Sequence, residues 1–166
     1  MMKVSIYIAA IVIVVIEIML LSTFWTFAPS VIQGSIGNAF NQVLTYAFFS
    51  ALVTGVIILA AGIPVYFVLS YTGKLSQSNL ALAGGLIPLM ILSVIMFMTS
   101  YGGTGTYSSG QNYYGTYREM VVANERTLWG WVSIIEQYIT VSVYGLIGAI
   151  TFGKAVSVFK SRCENA

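Results

Sequence analysis

A bundle of four transmembrane helices, an all-α integral membrane protein, is the fold this sequence predicts. Two observations carry that expectation. Of its 166 residues, 58% are hydrophobic and only 7% are charged, whereas soluble domains carry roughly 25% charged residues. The apolar residues also gather into four stretches, each near the ~20 residues a helix needs to cross a bilayer. They run over about 4–27, 43–71, 80–100 and 128–152, within one membrane domain covering 1–166.

The first stretch contains "IVIVVIEIMLL", ten apolar residues around Glu17. Its opening "MMK" resembles the basic start of a signal peptide. The apolar run is too long, however, and ends in "STFWTFAPS" without a small-residue cleavage site, so an uncleaved signal anchor is expected. In the loop that follows, "APSVIQGSIGNAFNQ", Val31, Ile32, Ile36 and Phe40 recur at helical spacing. A short interfacial helix is expected there, opposed by Gly34 and Gly37.

The second stretch contains Pro64 in "AAGIPVYF", and the third contains Pro88. A proline inside a helix lacks the N–H of the i→i−4 bond, so both positions predict a bend. Ala47, Ala51 and Gly55 form a small-residue row on the second span, with Ser50 and Thr54 beside it, and the third offers Ala81 and Gly85. Such rows let helix backbones approach closely where lipid supplies no hydrophobic drive, and they are assigned to packing.

Between the last two spans, "YGGTGTYSSGQNYYGTY" (101–117) holds five Gly, five Tyr and seven Ser, Thr, Asn or Gln, with no charge. Glycine favours flexibility, and tyrosines supply contact area at low entropic cost. Tyr107, Tyr113, Tyr114 and Tyr117 are therefore contact candidates, with a headgroup-bound spacer as the plainer reading. Thr116 and Glu119 have capping-box spacing, so an outer helical segment over 116–127 is expected to lead into the last span. On it Arg118 and Glu125, and Glu119 and Arg126, stand seven residues apart on nearly one face. That makes Arg118 and Arg126 candidates for contact with an adjacent copy.

In the fourth span Ser133, Gln137, Thr140, Tyr144, Gly148 and Thr151 step by three or four and form one polar stripe, with Glu136 at its edge. A polar stripe on a spanning helix is expected to face the bundle interior or a wet cavity. Gly145 and Ala149 lie on another face and suit packing against a neighbour. Counted from the outer ends of their spans, Glu17 and Glu136 differ in depth by only a few Å at about 1.5 Å per residue. Glu17 is thus expected to find Glu136, Gln137 or Thr140 if the first and fourth helices are neighbours. With no Lys or Arg at that depth, at least one acid is expected to be protonated.

Lys3, Lys74, Lys154, Lys160 and Arg162 flank one face of the membrane and only Arg118 and Arg126 the other, which predicts cytoplasmic termini. Trp25, Trp129 and Trp131 are then expected at the outer interface, in a multi-pass protein of the plasma membrane.

The chain has no His, no Asp and one cysteine, Cys163. No activated nucleophile–base pair, CxxC motif or metal-ligand cluster is visible, and "GGTG" lacks the Lys–Ser/Thr of a phosphate loop. No enzyme, cofactor, metal site or nucleic-acid partner is expected, since the few basic residues are scattered.

The leading expectation is a structural or accessory component that self-associates or joins other membrane subunits. A small proton-coupled transporter or pore using Glu17 and Glu136 is the alternative, and a viral membrane protein of envelope or host membrane is a third. Four spans with a Glu in the first are similar in outline to the small multidrug-resistance transporters. The likeness covers the span count and Glu17. This chain is longer and carries the Gly/Tyr-rich loop, which those transporters lack.

Overall fold

The computed structural model describes residues 2–32, 39–100, 106–113 and 116–164. Along the chain lie α1 (Met2–Ile32), α2 (Ala39–Ile57), a π turn (Ile58–Gly62), α3 (Ile63–Tyr71) and α4 (Gln77–Ser100). Three strands follow, β1 (Ser109–Tyr113), β2 (Thr116–Val122) and β3 (Glu125–Arg126), and then α5 (Leu128–Glu164). Because α2, the π turn and α3 run on as one rod, four helical rods are long and apolar enough to cross a membrane: Ser5–Phe27, Gln42–Tyr71, Gln77–Met98 and Leu128–Cys163. The short helix expected around Ile36 falls largely outside the described residues, as does Tyr114.

Pro64 leaves its mark as the π turn. It cannot donate to the carbonyl one turn back, and the helix widens over Ile58–Gly62 before α3 resumes with Pro64 in its first turn. Pro88 stays inside a continuous α4. Between α3 and α4 the chain reverses through a Schellman closure. Lys74 N–H donates to Leu69 O at 3.0 Å and Gly73 N–H to Ser70 O at 3.3 Å. Gly73 supplies the φ of +68° that this closure requires. Ser76 then caps α4, its Oγ accepting from Asn79 N–H at 3.1 Å.

The rods pack in the order α4–α5–α1–α2, and α3 meets α4 near the far end. The tightest crossing is α4 on α5. A Cβ on Gly84 would overlap the Ala149 methyl and the Gly145 carbonyl, and one on Gly145 would overlap the Gly84 carbonyl and come within 2.8 Å of Pro88 Cγ. Gly85 is buried one step away, its missing Cβ 3.4 Å from Ser142 Oγ. Ala81 is half-buried. The row Ala47, Ala51, Gly55 makes no comparable crossing, because a Cβ on Gly55 would meet nothing within 4 Å. The α1–α2 pair is instead held by a Ser22–Ser50 hydroxyl bond of 2.6 Å and by the ring of Phe27 against Tyr46, and Tyr7 of α1 packs against Tyr66 of α3.

The core sits in the half of the bundle away from the sheet. Ala10, Val14, Ile18, Tyr66, Leu80 and Phe152 are buried together there, and Tyr66 meets Phe152 edge-on at 5.3 Å. Packing continues along α5 to Val156, beyond the end expected from hydropathy at about residue 152. With no proline to stop it, the helix runs through Lys154 and Lys160 to Glu164.

The expected outer helix over 116–127 is a three-stranded antiparallel sheet, ordered β1-β2-β3. Two features override the capping-box signal. The run Met120-Val121-Val122 is poor helix and good strand material. Ala123 and Asn124 also take left-handed conformations, φ 49° and 70°, in a two-residue hairpin turn that pairs Val122 with Glu125. Side chains of β2 then alternate, with Arg118 and Met120 turned toward α5 and Tyr117 and Glu119 away from it.

Two glycines should separate in their response to substitution. Gly145→Leu, forced into the α4–α5 crossing, is expected to cost about 1–3 kcal/mol as an overpacked contact. Gly55→Leu, directed into open space, is expected to stay within roughly 0.5 kcal/mol. Thermal unfolding in detergent measures both, and equal sensitivity would refute this crossing.

Candidate functional site

The row of rods leaves α2 and α4 at its two ends. Among the described residues they make no extensive contact with each other, and a cavity of about 670 Å³ lies between them. The rods α1 and α5 form its floor. Its walls change character along their length. Toward the sheet they offer Thr26, Tyr46, Glu136, Gln137 and Thr140, and deeper they offer Ile57, Ile58, Val65, Leu80 and Phe152. Ser22, Ser50, Thr54 and Tyr144 stand between. Among the described residues, Glu136 is the only acidic or basic side chain lining it.

The stripe on α5 therefore reaches this cavity through Gln137, Thr140, Tyr144 and Gly148. Gln137 extends to Ser133 Oγ at 3.5 Å, and Tyr144 Oη lies 3.5 Å from Leu21 O.

Glu17 is not on the cavity wall. Val14 and Ile18 lie against Gly148, which sets the register of the antiparallel rods α1 and α5. Glu17 is thereby level with about residue 147, and Glu136 with about residue 28, a separation of about 16 Å along the bundle. The expected proximity of the two acids is overturned. Counting from helix ends assumed that both helices end at one level, but α5 projects some nine residues past Phe27 to carry the sheet. Among the described residues, Glu17 Oε2 and Thr23 Oγ1 are enclosed and find no hydrogen-bond partner.

Glu136 has a different neighbour, for its Oε2 accepts the hydroxyl of Tyr113 on β1. The Tyr113 ring leans on Trp129 at 5.9 Å, and the Arg118 guanidinium covers Trp129 at 4.4 Å from the ring centroid. Arg126 lies 5.7 Å from the centroid of Trp131. Both tryptophans stand on the projecting turns of α5, above the level of Trp25, so the three do not form one belt. The arginines, expected on a helical face, are strand residues stacked on α5.

Thr127 ties the sheet to the helix. Its N–H donates to Met120 O at 3.0 Å, its hydroxyl donates to Glu119 O at 2.5 Å, and its Oγ1 accepts from Gly130 N–H at 3.1 Å. Thr127, not Thr116, is the cap of this helix. Gly130 lets the Met120 carbonyl lie directly on the first turn, where a Cβ would overlap it.

No family model, curated protein or solved structure matches this chain. Among the described residues, no three His, Cys, Asp or Glu side chains gather as a metal site would require. Cys163 is half-buried near the end of α5. Of the expected contact residues, Tyr113, Arg118 and Arg126 are engaged with Glu136 and the tryptophans. Tyr107 and Tyr117 remain 61% and 66% exposed. Gly84, Ser22 and Thr127 were absent from the expected site residues. The pairing of Gly84 with Gly145 was unreadable without the helix register, whereas Thr127 directly before "LWGW" is a legible cap signal.

The Tyr113–Glu136 bond should register as coupling between sheet and bundle. A double-mutant cycle of Tyr113→Phe and Glu136→Ala is expected to give about 1–2 kcal/mol of interaction energy by chemical denaturation. Strict additivity would remove the bond as a tie.

Proposed function

We propose that the protein is a non-enzymatic membrane component, structural or accessory, that meets sister subunits or other membrane proteins through the sheet carried on α5. One observation supports this reading above others. Tyr117 on β2, and Tyr107 in the segment leading into β1, are largely exposed beside α5, to which Thr127, Trp129 and Glu136 fasten the sheet. Rigidly presented tyrosines offer large contact area with little ordering cost. The sheet faces outward and both termini are cytoplasmic in this proposal, with the plasma membrane as the site, following the distribution of basic residues.

A proton relay through Glu17 and Glu136 is the weaker reading. The two acids are about 16 Å apart along the helices, and Glu17 is away from the cavity wall.

Three measurements bear on this reading. A photo-crosslinking residue at position 107 or 117 in cells is expected to give discrete adducts, and one at position 113, turned against Trp129, none; no adduct at either tyrosine would sink the contact surface. In proteoliposomes, proton flux is expected to match protein-free vesicles. Flux abolished by Glu17→Gln would establish transport instead. For orientation, Ser108→Cys should react with an impermeant maleimide on intact cells, and Cys163 only after permeabilisation; the reverse pattern inverts the topology.

A further inference from the structure

The cavity between α2 and α4 lies beyond the contact function proposed for the sheet, and its walls specify an occupant. Three properties matter. It lies among rods long and apolar enough to cross a membrane, between two that have no extensive contact with each other, so it opens sideways to the surroundings of the bundle. It is polar at one end and apolar at the other. Among the described residues, its polar end has a single charged side chain, an acid, and no Lys or Arg.

A sideways opening between such rods admits lipid. The polar end falls level with the last turns of α1, where a headgroup would sit, and the apolar end descends along α5 from Glu136 to Phe152. Those sixteen residues span roughly 24 Å, about the reach of one extended acyl chain, against ~30 Å for a whole hydrocarbon core. A volume of about 670 Å³ falls within the ~300–1,000 Å³ of small-molecule sites.

The charge of the wall selects among lipids. A phosphate or carboxylate headgroup lacking a cation would meet Glu136 with no Lys or Arg to offset it. An ammonium would meet the carboxylate, with the Thr26, Tyr46 and Thr140 hydroxyls as further hydrogen-bonding groups. The Tyr113 hydroxyl holds Glu136 through Oε2, fixing the carboxylate at the mouth of the cavity. We propose that this cavity is a binding site for one membrane lipid with an ammonium-bearing headgroup, the headgroup at Glu136 and one acyl chain lying along α5 toward Phe152.

The test uses the full-length protein in nanodiscs of mixed phosphatidylethanolamine and phosphatidylglycerol, each in turn spiked with an analogue bearing a diazirine on its acyl chain. After irradiation, peptide mapping reads the label on the cavity wall, at Thr54 and Thr140, against the outward faces, at Leu52 and Leu86. The ethanolamine analogue is expected to label the wall preferentially. Glu136→Gln, which still accepts the Tyr113 bond, is expected to reduce that preference roughly tenfold, the size of one lost charge-assisted hydrogen bond. Thr54→Phe, which fills the groove far from the headgroup, is expected to abolish wall labelling by both analogues. Equal labelling of wall and outward faces, or insensitivity to Thr54→Phe, would overturn the site. Equal labelling by the two analogues in the unsubstituted protein would overturn the headgroup assignment. A cross-link between Thr54 or Thr140 and a second copy would give the cavity to self-association instead. None of these outcomes depends on Tyr107 or Tyr117, so the contact surface and the lipid site stand or fall separately.

Discussion

Everything in this molecule hangs on α5, and α5 is placed by the close approach of Gly84 and Gly145. Because neither residue has a Cβ, the α4 and α5 backbones touch where any side chain would force them apart. Where two helices meet in lipid, no hydrophobic force draws them together, and close contact between small residues supplies attraction by dispersion. From that crossing α5 sets the register of α1 through Gly148 and carries the sheet at its other end through Thr127 and Gly130.

The two halves of the bundle obey different packing rules. Near the α3–α4 reversal, Tyr66, Phe152 and Leu80 are buried together with Ala10, Val14 and Ile18 of α1. Toward the sheet, α1 and α2 are joined by paired serines and by the ring of Phe27 against Tyr46, while α2 and α4 diverge around a cavity. A row of four rods whose end members do not close on each other must leave such a gap, and its lining determines what can fill it. Polar groups at one end and hydrocarbon at the other match the profile of the bilayer itself.

The sheet changes the meaning of the residues around it. On a helix, Arg118, Glu119, Glu125 and Arg126 would be a repeating charged face. On a twisted hairpin, Arg118 and Arg126 turn to cover tryptophans, and Tyr113 reaches down to Glu136. An intramembrane acid in the linear reading thereby becomes a tie between the sheet and the mouth of the cavity. Glu17 is half-buried on α1, and its enclosed Oε2 finds no such partner among the described residues.

Hydropathy and length were sufficient to find four apolar rods, and proline chemistry to locate the disturbance at Pro64, because both are properties of a single helix in its solvent. The polar stripe on α5 was legible for the same reason: it is a periodicity. What the linear pattern left open were relations between elements. The level of Glu17 against Glu136 depends on how far α5 projects past α1, which is set by contacts at Gly148 and by the sheet. The choice of strand over helix at 116–122 turned on a two-residue turn at Ala123 and Asn124 and on partners across the hairpin. Of the small-residue rows, only the pair that met another glycine became a crossing, since close approach takes two backbones. Sequence determined the rods and their polar faces; tertiary contact decided their register, and register decides which side chains meet.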